Sequence, residues 1–205
     1  EAVTFSAGVP TIWHGLLSYM RENGKRLDAM QRMVIGGSAA PRSMIEALDR
    51  EFGIEARHGW GMTEMSPVGA INTLKPGMLD QPETERMNVL AKQGRPPFGV
   101  EMMIEGDDGT AQPHDGVAQG ELKVRGPWVC RAYFKGEGAD AHSDGWFGTG
   151  DVATIDADGY MQIVDRKKDM IKSGGEWISS IDLEDFAMRH PDVAQAAVIG
   201  VAHPK

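Results

Sequence analysis

The amino-acid sequence predicts an α/β protein: a parallel βαβ sheet portion, then a small antiparallel β subdomain, then the start of a separate α+β C-terminal domain. In the first third of the chain, an apolar segment, an amphipathic helical pattern and a second apolar segment follow one another. From about residue 94, short apolar segments alternate with turns that contain glycine and aspartate. Five consecutive charged residues, 165–169, then precede a further strand, helix and strand. We therefore predict domains at residues 1–93, 94–165 and 166–205.

The βαβ portion opens with an apolar strand, residues 33–35, that breaks at a pair of glycines. Pro41 suits the first turn of the helix that follows, in which apolar side chains recur every four residues. Gly53 ends this helix, and residues 54–58 resume as a strand. Strand, helix and strand over this distance favour a parallel pair with a right-handed crossover. Ligands bind beyond the carboxyl ends of such strands, so the glycine-bearing loops that follow both strands lie on the predicted binding edge.

The β subdomain is predicted from short apolar segments between turns. The predicted strands are residues 100–105, residues 121–124, the segment around Tyr133, residues 152–155 and residues 160–164. The last two flank an Asp-Ala-Asp-Gly turn and form a hairpin.

The final part of the chain follows the charged run. Residues 170–172 are predicted as a strand, and a helix begins beside Ser179, whose spacing from Asp182 resembles a capping box. Pro191 ends this helix, and residues 193–201 are predicted as another strand.

Composition narrows the class of protein. The 205 residues are 41% hydrophobic and 25% charged, which is ordinary for a globular protein, and the net charge of −9 argues against a nucleic-acid partner. The sequence contains no run of about 18 apolar residues, so it does not predict a transmembrane helix. Cys130 is the single cysteine, which excludes an intrachain disulfide and favours the cytoplasm. The histidines show no zinc-ligand spacing, and the oligomeric state is not predicted.

The segment Gly59-Trp60-Gly61-Met62-Thr63-Glu64 is the first candidate site. Its glycines permit sharp turns and close approach of a ligand, and Trp60 offers a ring to a base. Thr63 offers a hydroxyl to a phosphate, and Glu64 offers a hard oxygen to Mg²⁺. The alternative is a turn into a helix with Thr63 as the N-cap, and spacing alone favours neither interpretation.

Two other segments carry weaker signals. Asp151 follows Gly148-Thr149-Gly150 and could accept both hydroxyls of a ribose, although an ordinary turn aspartate is the simpler interpretation. The loop at Gly36-Gly37-Ser38 could cradle a ligand or serve only as the entry to a helix. It is not a Walker phosphate loop, because no Gly-Lys-Ser/Thr follows at the required spacing.

The charged run 165–169 is either a solvated hairpin end or a hinge between rigid parts. Lys172, close to Gly174 and Gly175, either assists an anionic ligand or is simply exposed.

Together these motifs resemble the adenylate-forming (AMP-binding) acyl-CoA ligase superfamily. The similarity runs nearly end to end through residues 36–40, Trp60-Gly61-Met62-Thr63-Glu64, Gly94-Arg95-Pro96, residues 120–126, Thr149-Gly150-Asp151 and the stretch from Asp165 through Gly175. Residues 173–180 are similar to ligases for medium- or long-chain fatty acids and related small acids.

The resemblance implies a role for each matching residue. It implies that Trp60 stacks on adenine, that Thr63 contacts the AMP phosphate and that Glu64 holds Mg²⁺. It also implies that Asp151 and Arg166 bind the ribose hydroxyls.

Further roles follow from the same resemblance. Lys168 is the implied pivot about which a C-terminal domain swings. The remaining residues are implied at the edges of the site: Lys172, Gly174 and Gly175 near the entry of the thiol, and Gly36, Gly37 and Ser38 beside the adenine and the acyl pocket. Thr63, Glu64 and Lys172 are the candidate catalytic residues.

The implied reaction converts a carboxylic acid and ATP to an acyl-adenylate and then, with coenzyme A, to a thioester. The family's phosphate loop is expected before Glu1 and its adenylation lysine after Lys205, so the isolated chain is expected to be an inactive fragment. There are two alternatives: an adenylation domain that loads a carrier-protein thiol, and a nucleotide-binding remnant without turnover. The acyl chain length is not predicted.

Overall fold

The computed structural model describes residues 2–173, 176–188, 190 and 192–201. The chain forms two compact units. Unit 1 contains Glu1–Val100 and Asp158–Met161, and unit 2 contains Glu101–Ala157 and Gln162–Lys205. None of the helices in the described residues has the length and apolar content that a membrane-spanning helix needs.

Unit 1 is built on a four-stranded sheet in the order β1-β2-β3-β4. Its strands are β1 (Phe5–Gly8), β2 (Arg32–Ile35), β3 (Glu55–Gly61) and β4 (Val68–Ile71). The first three strands are parallel, and β4 is antiparallel to β3. The helices are α1 (Pro10–Asn23), α2 (Arg42–Phe52) and α3 (Glu83–Leu90). The parallel βαβ portion of the prediction is confirmed.

Helix α2 has the buried apolar face and the terminal glycine that its sequence predicts. Met44, Ile45 and Leu48 are buried on one face and join the core, where Ile35 of β2 is completely inaccessible to solvent. Gly53 adopts the left-handed conformation (φ 68°) and its N–H bonds back to the helix, so the predicted end is confirmed. The predicted start differs by one residue, since α2 begins at Arg42 and its preceding proline occupies the N-cap.

Helix α1 was not among the predicted elements. It begins with Pro10 directly after β1 and buries Trp13, Leu17 and Met20, which recur at three- and four-residue spacing. The indole N–H of Trp13 lies 3.2 Å from the carbonyl oxygens of both Gly8 and Val34. The buried indole therefore joins the ends of β1 and β2.

Strand β3 extends further than predicted, through the glycines at its carboxyl end. Gly59 and Trp60 pair with β4, and the register shifts between Trp60 and Gly61. A side chain at Gly61 would place its Cβ 1.8 Å from the Pro67 carbonyl oxygen. The glycines therefore allow an adjacent strand to approach closely, which makes this segment a strand rather than a loop.

Unit 2 is mainly antiparallel. Its sheet contains β5 (Glu101–Glu105), β6 (Gly120–Arg125), β7 (His142–Ser143) and β8 (Trp146–Ile155) in the order β5-β6-β8-β7, and β9 (Met161–Arg166) pairs with β8. A separate hairpin consists of β10 (Ile171–Ser173) and β11 (Glu176–Ile178), and α4 (Ser180–Ala187) follows it. The predicted antiparallel subdomain is confirmed, whereas the division into three domains stays a prediction.

Two predicted strands are wrong. Tyr133 precedes a single 3₁₀ turn, Phe134–Gly136, because Lys135 and Gly136 both have positive φ, which ends an extended chain. Residues 193–201 contain no strand, and within them Ile199 is 80% exposed. An apolar run becomes a strand only when it pairs with a neighbouring backbone. Pro191, the predicted end of α4, lies outside the described residues.

Candidate functional site

In unit 1 the loop after β2 lies beside the carboxyl end of β3. Gly36 donates its N–H to the Gly8 carbonyl at 3.1 Å, and a Cβ placed on it would lie 3.5 Å from the Gly59 carbonyl oxygen. Gly37 has a positive φ of 86°, and it and Ser38 are exposed. The structure therefore brings the predicted Gly36 loop next to the start of the second motif.

The Trp60 ring is partly buried and lies across β4. A Cβ added to Gly69 would come within 2.3 Å of the ring atom Cζ3, so the ring rests where β4 carries no side chain. Gly61 and Gly69 both lack side chains for steric reasons, one against the backbone of β4 and the other against this indole.

Thr63 and Glu64 lie in a three-residue 3₁₀ turn, Thr63–Met65, directly after β3. Buried Met65 anchors the turn, and the Met62 N–H closes it on the Pro67 carbonyl at 2.9 Å. Met62, not Thr63, occupies the N-cap, so the alternative with Thr63 as N-cap is wrong. This geometry leaves Thr63 exposed and Glu64 partly buried.

The donor set fits a magnesium ion only in combination with phosphate. Within the described residues, no group of three or more His, Cys, Asp or Glu side chains could hold a metal. Glu64 contributes one carboxylate, and Mg²⁺ is commonly held by one or two carboxylates together with substrate phosphates and water.

In unit 2 a bulge in β8 determines the position of Asp151. The register with β6 shifts so that the single residue Leu122 faces residues 149–151. Gly150 provides the positive φ, 72°, that the bulge needs. The Thr149 hydroxyl donates to the Leu122 carbonyl at 2.9 Å and accepts from the Asp151 N–H at 3.1 Å. The sequence reasoning did not foresee this role of Thr149, although the Thr-Gly pair before an aspartate is the signal.

Asp151 and Arg166 are brought together by this bulge. Asp151 Oδ1 lies 2.9 Å from Arg166 Nε, with the carboxylate side chain 3% and the guanidinium side chain 53% exposed. A buried carboxylate beside an exposed guanidinium supplies both an acceptor and donors, which is the chemistry that vicinal hydroxyls require. The simpler interpretation of Asp151 as an ordinary turn aspartate is wrong, because the residue is buried in a strand.

The charged run has two environments. Asp165 is 2% exposed, and its carboxylate accepts N–H bonds from Arg166 and Ser180 at 2.7 Å each. Lys168 is exposed in the turn after β9. The solvated interpretation is therefore wrong for Asp165 and compatible with Lys168, and the hinge stays a prediction.

The capping prediction for α4 is confirmed. Ser179 occupies the N-cap, its hydroxyl accepts from the Asp182 N–H at 3.1 Å, and it donates to the Val164 carbonyl at 2.6 Å. Of the remaining candidates, Gly174 and Gly175 and the side chain of Lys172 lie outside the described residues.

Unit 2 contains two grooves that are lined by residues outside the candidate site. One, of about 400 Å³, is lined by residues that include Arg125, Cys130 and His142. The other, of about 340 Å³, is lined by residues that include Glu121 and Lys167. Neither contains a predicted site residue, so the candidate site rests on donor chemistry rather than on these cavities.

With this geometry established, the class of protein follows from comparison. Residues 1–134 match the family model described as AMP-binding enzyme. The chain belongs to the AMP-binding enzyme family, which confirms the resemblance that the motifs indicate.

The similar proteins with curated names include acyl-CoA ligases. The chain is 54% identical over 203 residues to a 3-methylmercaptopropionyl-CoA ligase of Ruegeria lacuscaerulensis. It is 48% identical over 205 residues to a medium-chain-fatty-acid–CoA ligase of Ectopseudomonas oleovorans. These alignments cover 99% and 100% of this chain but only 38% of each relative. The chain thus spans well under half the length of these relatives.

A solved structure agrees with the fold. An O-succinylbenzoate coenzyme A synthetase from Bacillus subtilis, in complex with ATP and magnesium ion, superposes with a TM-score of 0.80 at 31% identity. The superposition covers 98% of this chain and 40% of that chain. The α/β fold with its parallel and antiparallel parts is that of an adenylate-forming enzyme.

Proposed function

We propose that the complete protein carrying this chain is an AMP-forming acyl-CoA ligase. The observation that carries the proposal is the Asp151–Arg166 pair, held at 2.9 Å on the bulge of β8 in a chain of the AMP-binding enzyme family. The names of the two relatives, both acyl-CoA ligases, support the thioester-forming chemistry. Coenzyme A is the proposed acceptor.

The proposed reaction has two steps. In the first, a carboxylate oxygen of the acid attacks the α-phosphorus of ATP, and pyrophosphate leaves. In the second, the thiolate of coenzyme A attacks the acyl carbonyl, and AMP leaves. The first step joins two anions, so its rate depends on positioning and on stabilising the charge that develops on phosphate.

The proposal assigns a nucleotide contact to each of five residues. Trp60 lies against adenine, the exposed Thr63 hydroxyl donates to the AMP phosphate, and Glu64 holds Mg²⁺, which supplies Lewis-acid stabilisation of phosphate charge. Asp151 accepts from the ribose hydroxyls while Arg166 donates to them. The partial burial of Glu64 and the near-complete burial of Asp151 support these roles, because carboxylates bind charge and donors more strongly where water is scarce.

The other candidate residues have proposed roles at the edges of the site. Gly36, Gly37 and Ser38 border the adenine and the acyl pocket, Lys168 is the pivot between half-reactions, and Lys172, Gly174 and Gly175 lie near the incoming thiol. The acid is proposed to be a fatty acid or a related small acid, in the cytoplasm. The 205 residues alone are proposed not to form acyl-adenylate.

The test is a product assay with the complete protein. ATP, Mg²⁺, coenzyme A and acids of graded chain length, including 3-methylmercaptopropionate, are supplied, and AMP and acyl-CoA are measured. The proposal expects equal amounts of both products with at least one acid. Formation of ADP instead of AMP, or no acid-dependent product with any acid in the series, overturns it.

A further inference from the structure

A buried histidine connects the Gly36 loop with the end of helix α3. His58, on β3, is 1% exposed and lies one residue before the first motif. Its Nε2 lies 3.2 Å from the backbone nitrogen of Ala40, and its Nδ1 lies 3.1 Å from the carbonyl oxygen of Ala91. No role for this residue came from the sequence, where a single histidine between Arg57 and Gly59 carries no chemical signal.

The Ala40 and Ala91 contacts of His58 favour one neutral tautomer of the ring. A carbonyl oxygen only accepts, so Nδ1 must carry a hydrogen and donate it to Ala91. A backbone N–H only donates, so Nε2 accepts from Ala40 only in the form in which it carries no hydrogen. Burial lowers the pKa of His58 below its ordinary value and favours this neutral form, against smaller opposing effects of the Ala91 and Ser38 backbone.

The end of α3, which His58 Nδ1 contacts, is held in place by a second buried side chain. Asn72 is completely buried, and its Nδ2 donates to the Val89 and Lys92 carbonyls at 2.6 and 2.7 Å, at the end of α3. The Asn72 N–H donates to the His58 carbonyl at 2.8 Å. Two buried side chains therefore satisfy carbonyls that a helix end leaves without partners, and they fix the imidazole against a rigid element.

We infer that His58 is a positioning residue that holds the backbone of the loop at residues 36–40 through its unprotonated Nε2. The inference rests on the proposed function, because that loop is proposed to border the adenine and the acyl pocket. Ala40 is itself buried, so loss of the acceptor leaves its N–H without an alternative partner from solvent. The loop then moves to recover a hydrogen bond, and the positions of Gly36, Gly37 and Ser38 change with it.

Two substitutions separate the two contacts of the ring. His58→Asn places an amide nitrogen near the position of Nδ1, so it keeps the Ala91 contact and loses the Ala40 contact. His58→Gln places an amide oxygen near the position of Nε2, so it keeps the Ala40 contact and loses the Ala91 contact. Each variant leaves one buried backbone group without a partner, so the two serve as matched controls for the loss of stability.

The complete protein is studied by amide hydrogen exchange and by steady-state kinetics. In H58N the Ala40 amide is expected to exchange about tenfold faster and the KM for the acid or ATP to rise roughly five- to tenfold, whereas H58Q stays within about twofold of wild type in both. Equal changes in the two variants, or an Ala40 amide that stays protected in H58N, overturn the inference.

One measurement needs no variant. Nitrogen NMR of the wild-type imidazole at neutral pH is expected to show a protonated Nδ1 and an unprotonated Nε2, and the opposite tautomer or an imidazolium overturns the inference even if H58N does not fold. A wild-type protein without acid-dependent turnover refutes the proposed function instead, and the exchange and NMR results still decide the role of His58.

Discussion

The close approach of Pro67, the residue before β4, to Gly61 makes a quantitative prediction for Gly61→Ala. The added Cβ would lie 1.8 Å from the Pro67 carbonyl oxygen, about 1.6 Å short of the 3.4 Å at which ordinary van der Waals contact begins. The next nearest atoms, the Pro67 carbonyl carbon at 2.9 Å and the Gly69 nitrogen at 3.1 Å, also belong to the backbone. No side-chain rotation can relieve this overlap, so the two strands must separate.

The expected cost combines two effects. Forcing an extra carbon into a packed place costs about 1–3 kcal/mol. Movement of Pro67 also breaks the hydrogen bond from the Met62 N–H, which contributes about 0.5–1.5 kcal/mol. We therefore expect Gly61→Ala to lower the free energy of unfolding by about 2–4 kcal/mol. It should also weaken ATP binding, because the turn that carries Thr63 and Glu64 follows directly.

Gly15→Ala is the matched control. Gly15 lies inside α1, is exposed, and has no atom within 4 Å of an added Cβ. Alanine there should stabilise the helix by about 0.5–1 kcal/mol. Thermal unfolding of the complete protein checks both variants, and calorimetric titration with ATP checks binding. A Gly61→Ala variant that unfolds at the wild-type temperature would show that Pro67 does not restrict the side chain at this position.

Three other predictions concern charge and capping. Because burial lowers the pKa of His58, the unfolded state binds a proton that the folded state does not as the pH falls below about 6.5, so stability decreases by up to about 1.4 kcal/mol per pH unit until the folded pKa is reached. His58→Gln should remove this part of the slope in denaturant titrations at pH 7.5 and 5, and an unchanged slope contradicts the assignment. Asp151→Asn should weaken ATP binding about 10- to 100-fold by calorimetry, since hydrogen bonds to a charged group are lost, whereas Glu101→Gln, in an exposed ion pair on the same sheet, should leave affinity unchanged. Equal affinities of these two variants would remove Asp151 from the site. Ser179→Ala should cost about 0.5–2 kcal/mol and speed exchange of the Asp182 amide, and a protected amide would contradict the cap.

Local signals predicted part of the fold well. The helix before Gly53 was predictable because four-residue spacing and a left-handed glycine are properties of the segment itself. The extension of β3 through Gly61 was not, since two glycines resemble a loop until β4 supplies a pairing backbone. The strand predicted at residues 193–201 is wrong for the opposite reason. An apolar run suggested a strand, but no neighbouring backbone pairs with it in the described residues.

In the candidate site, too, local motifs were predictable and contacts with distant residues were not. The family resemblance predicted site roles for Asp151 and Arg166, and the structure adds the bulge and the Thr149 hydroxyl that hold them in contact. Asp165 looked like one member of a solvated charged run, but it is buried, and one of its two N–H donors is Ser180, which is distant in the sequence. Such long-range partners have no signature in a single sequence.

We propose that this chain contributes nucleotide contacts to an enzyme that adenylates a carboxylic acid. The most direct measurement is acid-dependent exchange of labelled pyrophosphate into ATP by the complete protein. We expect exchange that requires Mg²⁺ and at least one acid of the graded series, and that falls at least tenfold in Asp151→Asn. Absence of exchange with every acid would exclude the adenylation activity, and exchange that Asp151→Asn leaves unchanged would remove Asp151 from the nucleotide site.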